Sequence, residues 1–287
     1  MDMQEEAAGA AVEATGLGLK GPRGPVFRGV HVTARPGALI AVEGPSGSGR
    51  TCLLLTLTGR MRPSEGHATV GGHRLPKEMS AVRRMSAVAN VSGVTDLEPA
   101  LTVGEHLRER ALLESRFGDS LRALLRPRDE RTASVRRHID IALAAAGLDQ
   151  DALPKGPRTA VRDLERLEAL RLSVALALMG RPRLLAVDDA DHKLSAAERA
   201  EAWDLLRSVA QAGTTVLAVC TEAPRDALVV STAPGDRAAQ GGDVTPPAAE
   251  GGAPDAPQKA TTPDEPSEDG AEDDKETADA LAETGRA

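Results

Sequence analysis

Apolar residues in this chain fall into short runs separated by stretches of helical period. Residues 38–43 (Ala-Leu-Ile-Ala-Val-Glu) make a run of the length and character of a strand buried on both faces. A glycine-rich loop follows, and the Leu-rich stretch Thr51–Thr58 then suits a helix. Residues 62–75 carry Pro63, Gly66, Gly71 and Gly72 around Ala68–Val70, the punctuation of short hairpin strands, and Ser86–Val91 reads as one more strand. Helical spacing governs the next part: Thr102–Glu114, then Val135, Ile139, Ala142 and Ala146 ahead of Gly147, then Leu164–Met179 with Leu167, Leu170, Val174 and Leu178 on one face. After Pro182 the pattern alternates again: strand at Leu184–Val187, helix at Ala196–Ala210, strand at Thr215–Cys220. The order predicts an α/β fold, a mostly parallel sheet with helices on its faces, interrupted by a helical insertion at about residues 100–160.

Beyond residue 230 the pattern stops. The rest is Pro, Gly, Ala, Thr, Asp and Glu, with Val244 and Leu281 as its branched aliphatics, too little to offset the entropy of ordering. Residues 233–287 are therefore expected to be a disordered acidic tail, either solvating or a docking arm. From Ser231 onward there are 14 acids and 4 bases, so the upstream 29 acids and 31 bases nearly balance and the formal charge of −8 belongs to the tail. Two Phe, one Trp and no Tyr leave the core to Leu, Val and Ala, and provide no aromatic platform for single-stranded nucleic acid. Cys52 and Cys220 supply neither a disulfide framework nor a zinc spacing. With an acidic start (Met1–Glu6) and no 18-residue apolar stretch, the sequence predicts a cytoplasmic protein without spans of its own.

The chemistry is concentrated in two places. Gly44-Pro45-Ser46-Gly47-Ser48-Gly49-Arg50-Thr51 fills the template G-x-x-x-x-G-K-[ST] with Arg50 in place of Lys, between a predicted strand and a predicted helix. Glycines there let successive N–H groups turn inward around phosphate oxygens, and the helix start adds partial positive charge. Thr51 offers a hydroxyl to Mg²⁺, and Cys52 follows at the helix start, where its thiol pKa could be lowered or where it simply packs. Arg50 keeps the charge but is planar and forked where an ammonium is compact. The second place is Leu184–Asp188, an apolar strand ending in a carboxylate able to hold Mg²⁺, with Asp189 next as the candidate to activate water. The plainer readings are a flexible turn and a solvated strand end. His192, just beyond, is expected to be a surface loop residue.

These elements resemble the nucleotide-binding domain of ATP-binding cassette (ABC) transporters over roughly residues 12–232, after a flexible N-terminus at 1–11. Supporting features are Arg62-Pro63-Ser64-Glu65-Gly66 with Gly71-Gly72, Leu101-Thr102-Val103-Gly104-Glu105, and Gly180-Arg181-Pro182-Arg183-Leu184-Leu185. The resemblance implies a P-loop NTPase core with an antiparallel β lobe and a helical insertion. It implies ATP and Mg²⁺ as ligands and a dimer of cassettes, identical or not. It also implies an integral membrane permease as partner, holding this chain at the inner face of the membrane. By the same resemblance Asn90 takes the place of the family's Q-loop Gln, Thr221 that of its switch His, Ser195 that of its D-loop Asp, and Leu164-Glu165-Arg166-Leu167-Glu168 that of its L-S-G-G-Q signature. Two carboxylates then stand where the family offers N–H groups to the γ-phosphate.

Three functions compete. The first is an ATP-binding transporter subunit with weak or impaired hydrolysis. The second is an inactive cassette that regulates or scaffolds, favoured by Arg50, Asn90, Thr221 and the altered signature. The third is a P-loop small-molecule kinase, which the paired acids Asp188 and Asp189 fit less well than a hydrolase. Arg122, Arg126, Arg128, Arg131, Arg136 and Arg137 make the insertion basic, either as a solvated face or as a surface for acidic protein loops or anionic headgroups. That patch is also the sole argument for nucleic acid, which the rest of the sequence does not support.

Overall fold

The computed structural model describes residues 9–117 and 128–232, with backbone alone at 115–117 and 128–131. The expected acidic tail, 233–287, lies outside the described residues, as do Arg122 and Arg126. Five strands form a parallel sheet in the order β6 (Ser86–Ala89), β7 (Leu184–Val187), β8 (Thr215–Val219), β3 (Leu39–Glu43), β9 (Leu228–Ser231). Successive residues of a strand face opposite sides. Leu39 and Ala41 accordingly join Leu185, Val187, Val216 and Ala218 in one buried cluster, while Ile40 and Val42 join Leu184, Ala186, Leu217 and Val219 in another. Cover on both faces is why these segments read as unbroken apolar runs.

The first face carries α3 (Val103–Phe117), α4 (Arg128–Ala145), α5 (Arg166–Leu178) and α6 (Ala196–Gln211), with Trp203 in their shared core. The insertion is closed where it leaves and rejoins the chain: Val103 N–H donates to the Thr159 carbonyl at 3.0 Å and Val161 N–H to the Leu101 carbonyl at 2.9 Å. On the second face lie α1 (Arg50–Leu57), α2 (Met79–Met85) and an antiparallel sheet. Its order is β2 (Gly24–Ala34), β1 (Val12–Gly21), β4 (Glu65–Val70), β5 (His73–Leu75). This is the expected antiparallel lobe. The β1–β2 register shifts between Ala14 and Leu17, Leu17 and Leu19, and Leu19 and Lys20, which interrupts the period-two pattern in the sequence.

Of the N-terminus expected to be flexible, residues 9–11 are described, and they are tied into the fold. Ala10 is fully buried; its N–H donates to the Arg183 carbonyl at 2.9 Å, and its carbonyl accepts from the Thr215 hydroxyl at 2.7 Å. The sequence offers too few apolar residues before Val12 to announce this contact, which is made by small residues fitting against two distant strands. No helix among the described residues is long and apolar enough to cross a membrane.

Candidate functional site

Strands β3, β6, β7 and β8 run parallel, so their carboxyl ends, at Glu43, Ala89, Val187 and Val219, lie on one edge of the sheet, the edge where open α/β sheets take ligands. The candidate residues sit in the segments leaving these ends, in loops or, for Arg50, Thr51 and Cys52, in the first turn of α1. The loop after β3 turns through Gly44, Gly47 and Gly49, with φ of 155, 80 and 84°. Gly49 is the N-cap of α1, and a Cβ there would stand 2.7 Å from the Val26 carbonyl oxygen of β2, so this position requires glycine. Pro45, Ser46 and Gly47 are exposed at the crest. Ser48 is fastened from the side: its hydroxyl lies 2.6 Å from that of Thr232, which in turn donates to the Glu43 carbonyl at 3.2 Å.

The loop's far end meets the carboxylate of the β7 edge. Thr51 Oγ1 donates to Asp188 Oδ2 at 2.8 Å. Asp188 is buried, and burial raises its carboxyl pKa, with the neighbouring Asp189 adding to the rise and the Thr51 hydrogen bond opposing it. A desolvated acid beside a hydroxyl is a hard-oxygen pair of the kind a small divalent cation neutralises, so these residues fit Mg²⁺. Asp189 itself is exposed in a left-handed conformation, φ 47°. Asn90 follows β6, also left-handed at φ 56°, a conformation Asn tolerates better than most residues, and its Nδ2 donates to the Asp188 carbonyl at 2.8 Å. Thr51, Asn90, Asp188 and Asp189 are thus brought together around one strand end.

Arg50 and Thr221 take positions the motifs do not foretell. Arg50 Nη1 donates to the Cys220 carbonyl at 2.6 Å, at the end of β8. Thr221 N–H donates to both oxygens of Asp191, at 3.0 and 2.8 Å, and Glu222 N–H to Asp191 Oδ2 at 3.2 Å. Ala223 N–H donates to Glu43 Oε1. Asp191, Glu43 and Thr232 are the site residues that sequence reasoning missed. The acidic run Asp188-Asp189-Ala190-Asp191 was a partial signal for the first, whereas nothing marked the other two. His192 is exposed, as expected, and its carbonyl accepts from Arg166 Nε at 3.4 Å. Cys52 departs from the suggestion of a lowered thiol: burial, and then the Asp188 charge, raise its pKa and keep it protonated. Cys220 is buried and pushed up to about 12, by burial first and by Asp191 and Glu43 after it.

Leu164–Glu168 spans the start of α5. Glu165 is the N-cap and, with Glu168, forms a capping box in which Glu165 N–H donates to Glu168 Oε2 at 2.8 Å. The two carboxylates of the box thus lie at the helix start, Glu168 covering the Glu165 N–H.

The family model described as ABC transporter matches residues 27–192, more than half of the chain. The chain belongs to the ABC transporter family. Among curated relatives, the cassette is 31% identical over 191 residues to an ABC transporter ATP-binding/permease protein of Mycobacterium tuberculosis, covering 67% of this chain and 20% of that one. It is 28% identical over 221 residues to the L-cystine transport system ATP-binding protein TcyN of Escherichia coli, covering 74% of this chain and 81% of the other. The first of these shows that the chain spans about a fifth of some of the proteins it matches. Its fold is that of solved cassettes. One is cbiO1 from Clostridium perfringens, part of the ABC transporter complex cbiONQ, with TM-score 0.59, 18% identity, 75% of this chain and 79% of that one. Another is a dimeric ATP-binding cassette bound to ADP and Pi, with TM-score 0.57, 20% identity, 74% of this chain and 88% of the other. The P-loop fold and the ATP-binding-cassette family are therefore established for the chain.

Proposed function

We propose that this cassette is the ATP-binding subunit of an ABC-type transporter that binds Mg·ATP and hydrolyses it weakly. The observation that carries the proposal is the Thr51–Asp188 pair, a hydroxyl and a desolvated carboxylate meeting at 2.8 Å at the end of a glycine loop. In this reading the free N–H groups of the Gly44–Thr51 segment cradle the phosphates, Pro45 having none and Ser48 N–H being held by the Pro45 carbonyl; the Arg50 charge attracts them, and Cys52 packs behind the loop. Thr51 and Asp188 hold Mg²⁺, which neutralises charge on the phosphate oxygens. Asp189 orients or deprotonates water, with Asn90 and Thr221 on the γ-phosphate side. Weak turnover follows from the capping box of Glu165 and Glu168, because carboxylates at a helix start repel the phosphate that the family's signature attracts. That same observation favours, as the second reading, an inactive cassette that regulates or scaffolds.

A cleft of about 420 Å³ between the insertion and the sheet supports a separately encoded membrane permease as partner. Arg60, Arg83, Arg84 and Arg110 line it beside Leu97 and Leu113, with three carboxylates sharing the wall, one of which, Glu114, pairs with Arg110 at 2.7 Å. Arg136 and Arg137 are exposed on α4. The cassettes pair with each other, as a homodimer or with a second type.

Calorimetry of Mg·ATP with the full chain tests the proposal. Wild type is expected to bind; Thr51→Ala and Asp188→Asn are each expected to weaken binding in Mg²⁺ by about tenfold, the scale of one lost charge-assisted contact. Binding unaffected by either substitution would remove the site. Phosphate release at zero in wild type selects the inactive reading. Affinity capture from detergent-solubilised membranes is expected to recover an integral protein, and its failure to do so removes the transporter assignment.

A further inference from the structure

The backbone of residues 220–223 is held by charged side chains from three other parts of the chain. Asp191, 5% exposed, accepts from Thr221 and Glu222; Glu43 accepts from Ala223; Arg50 donates to the Cys220 carbonyl. Cys220 N–H is itself fixed on the Val42 carbonyl at 3.1 Å, in the strand that leads into the glycine loop. Hydrogen bonds to ionised groups are about twice as strong as neutral ones, so this is a stiff connection. Asp191, Glu43 and Arg50 are also the charges felt by the Cys220 thiol, which places all three around one point.

Arg50 belongs to both sides of that connection. It is the first residue of α1, at the end of the glycine loop, and its side chain reaches the end of β8. An ammonium carries its three donors on one nitrogen, so all of its acceptors must lie about 3 Å from a single point. A guanidinium presents five N–H donors on a rigid fork, so one arm can stay on a carbonyl while another takes a phosphate oxygen. Residue 221 has no comparable reach: the Thr221 hydroxyl is short and lies 3.4 Å from Asp191 Oδ1.

We propose that Arg50 is a bridge joining phosphates bound in the glycine loop to the 220–223 segment, and that Asp191 is the positioning residue that keeps the Cys220 carbonyl within its reach. The proposal rests on the nucleotide reading of the loop given above. It gives the Lys-to-Arg departure a role: the segment beyond β8 responds to nucleotide through the arm of Arg50 and not through the side chain at 221.

The test uses the full chain, a non-hydrolysable Mg·ATP analogue, calorimetry, and hydrogen–deuterium exchange read at the amides of 221–223. In wild type the saturating analogue is expected to slow these amides about tenfold, since each opening must now also break the bridge. Asp191→Asn is expected to bind the analogue within about tenfold of wild type. Its 221–223 amides should exchange faster in the free chain and at one rate with or without analogue. Arg50→Lys is expected to lose the response at saturating analogue as well. A wild-type chain that binds the analogue without any change at 221–223 overturns the bridge alone, as does a wild-type response in either variant. Absence of binding by wild type overturns the nucleotide reading beneath it. Should Arg50→Lys fail to bind, Asp191→Asn, which lies off the loop, decides the matter.

Discussion

Asp188 is held in the folded chain with a carboxyl pKa above its ordinary value of 3.8, chiefly because it is buried. A carboxyl raised in this way contributes stability that is fully present below its unfolded pKa and is lost as pH rises through the folded one. At neutral pH, without a cation, the ionised group therefore works against folding. Asp188→Asn is expected to raise the Tm of the nucleotide-free chain at pH 7 by about 3 °C, the shift that ~1 kcal/mol produces in a domain of roughly this size. The gain should shrink as pH is lowered toward 4, and a thermal melt series from pH 4 to 8 checks both the sign and the trend. A fall in Tm at pH 7 would mean that the bonds from Thr51 and from the Asp189 amide outweigh the cost of burying the charge. A rise would instead mark Asp188 as a group placed for a ligand and not for the fold.

At the scale of elements, α6 shows how local chemistry sets a boundary. Ser195 is its N-cap, accepting from Glu198 N–H at 3.3 Å, while Ser195 N–H donates to Glu198 Oε2 at 2.8 Å. Ser195→Ala is expected to cost about 1 kcal/mol in urea unfolding, the usual value of such a cap. By contrast Leu185, fully buried in β7, should cost about 2–5 kcal/mol on truncation to Ala, because the sheet on either side cannot close on the cavity. The strands around Leu185 were legible in the sequence because burial on both faces writes an apolar run. Helix α2 was not, since Val82 is its single buried residue and leaves no stripe to read. Nor was β9, a four-residue strand at the sheet's edge with Val230 as its only buried position. The same division runs through the site. The glycine loop and Asp188 lie in contiguous motifs and could be read directly. The Ser48–Thr232 and Glu43–Ala223 contacts join residues 184 and 180 positions apart, a pairing that only the parallel sheet order creates. Asp191 and Thr221, 30 positions apart, meet for the same reason, at adjacent strand ends.

At the scale of the whole molecule, the two buried clusters flank one sheet, and the candidate site occupies the edge that both reach. In the proposed dimer, a cassette of this type offers its α5 start to its partner's nucleotide. Replacing both acids there, Glu165→Ser with Glu168→Gln, leaves the buried Leu167 in place and removes two negative charges from the approach. Phosphate release is expected to rise about tenfold or more if these charges limit turnover, in line with the cost of disturbing one transition-state contact. An unchanged rate would show that these charges do not limit turnover.

The cap on α5 has a further consequence for anything that approaches it. Glu165 and Glu168 are anions on short covalent leashes, always present beside the exposed end of the helix, so a diffusing anion competes with an occupant whose local supply never runs out. In the proposed reading such an end disfavours phosphate whatever the ligand level, and a surface rich in lysine or arginine would suit it better.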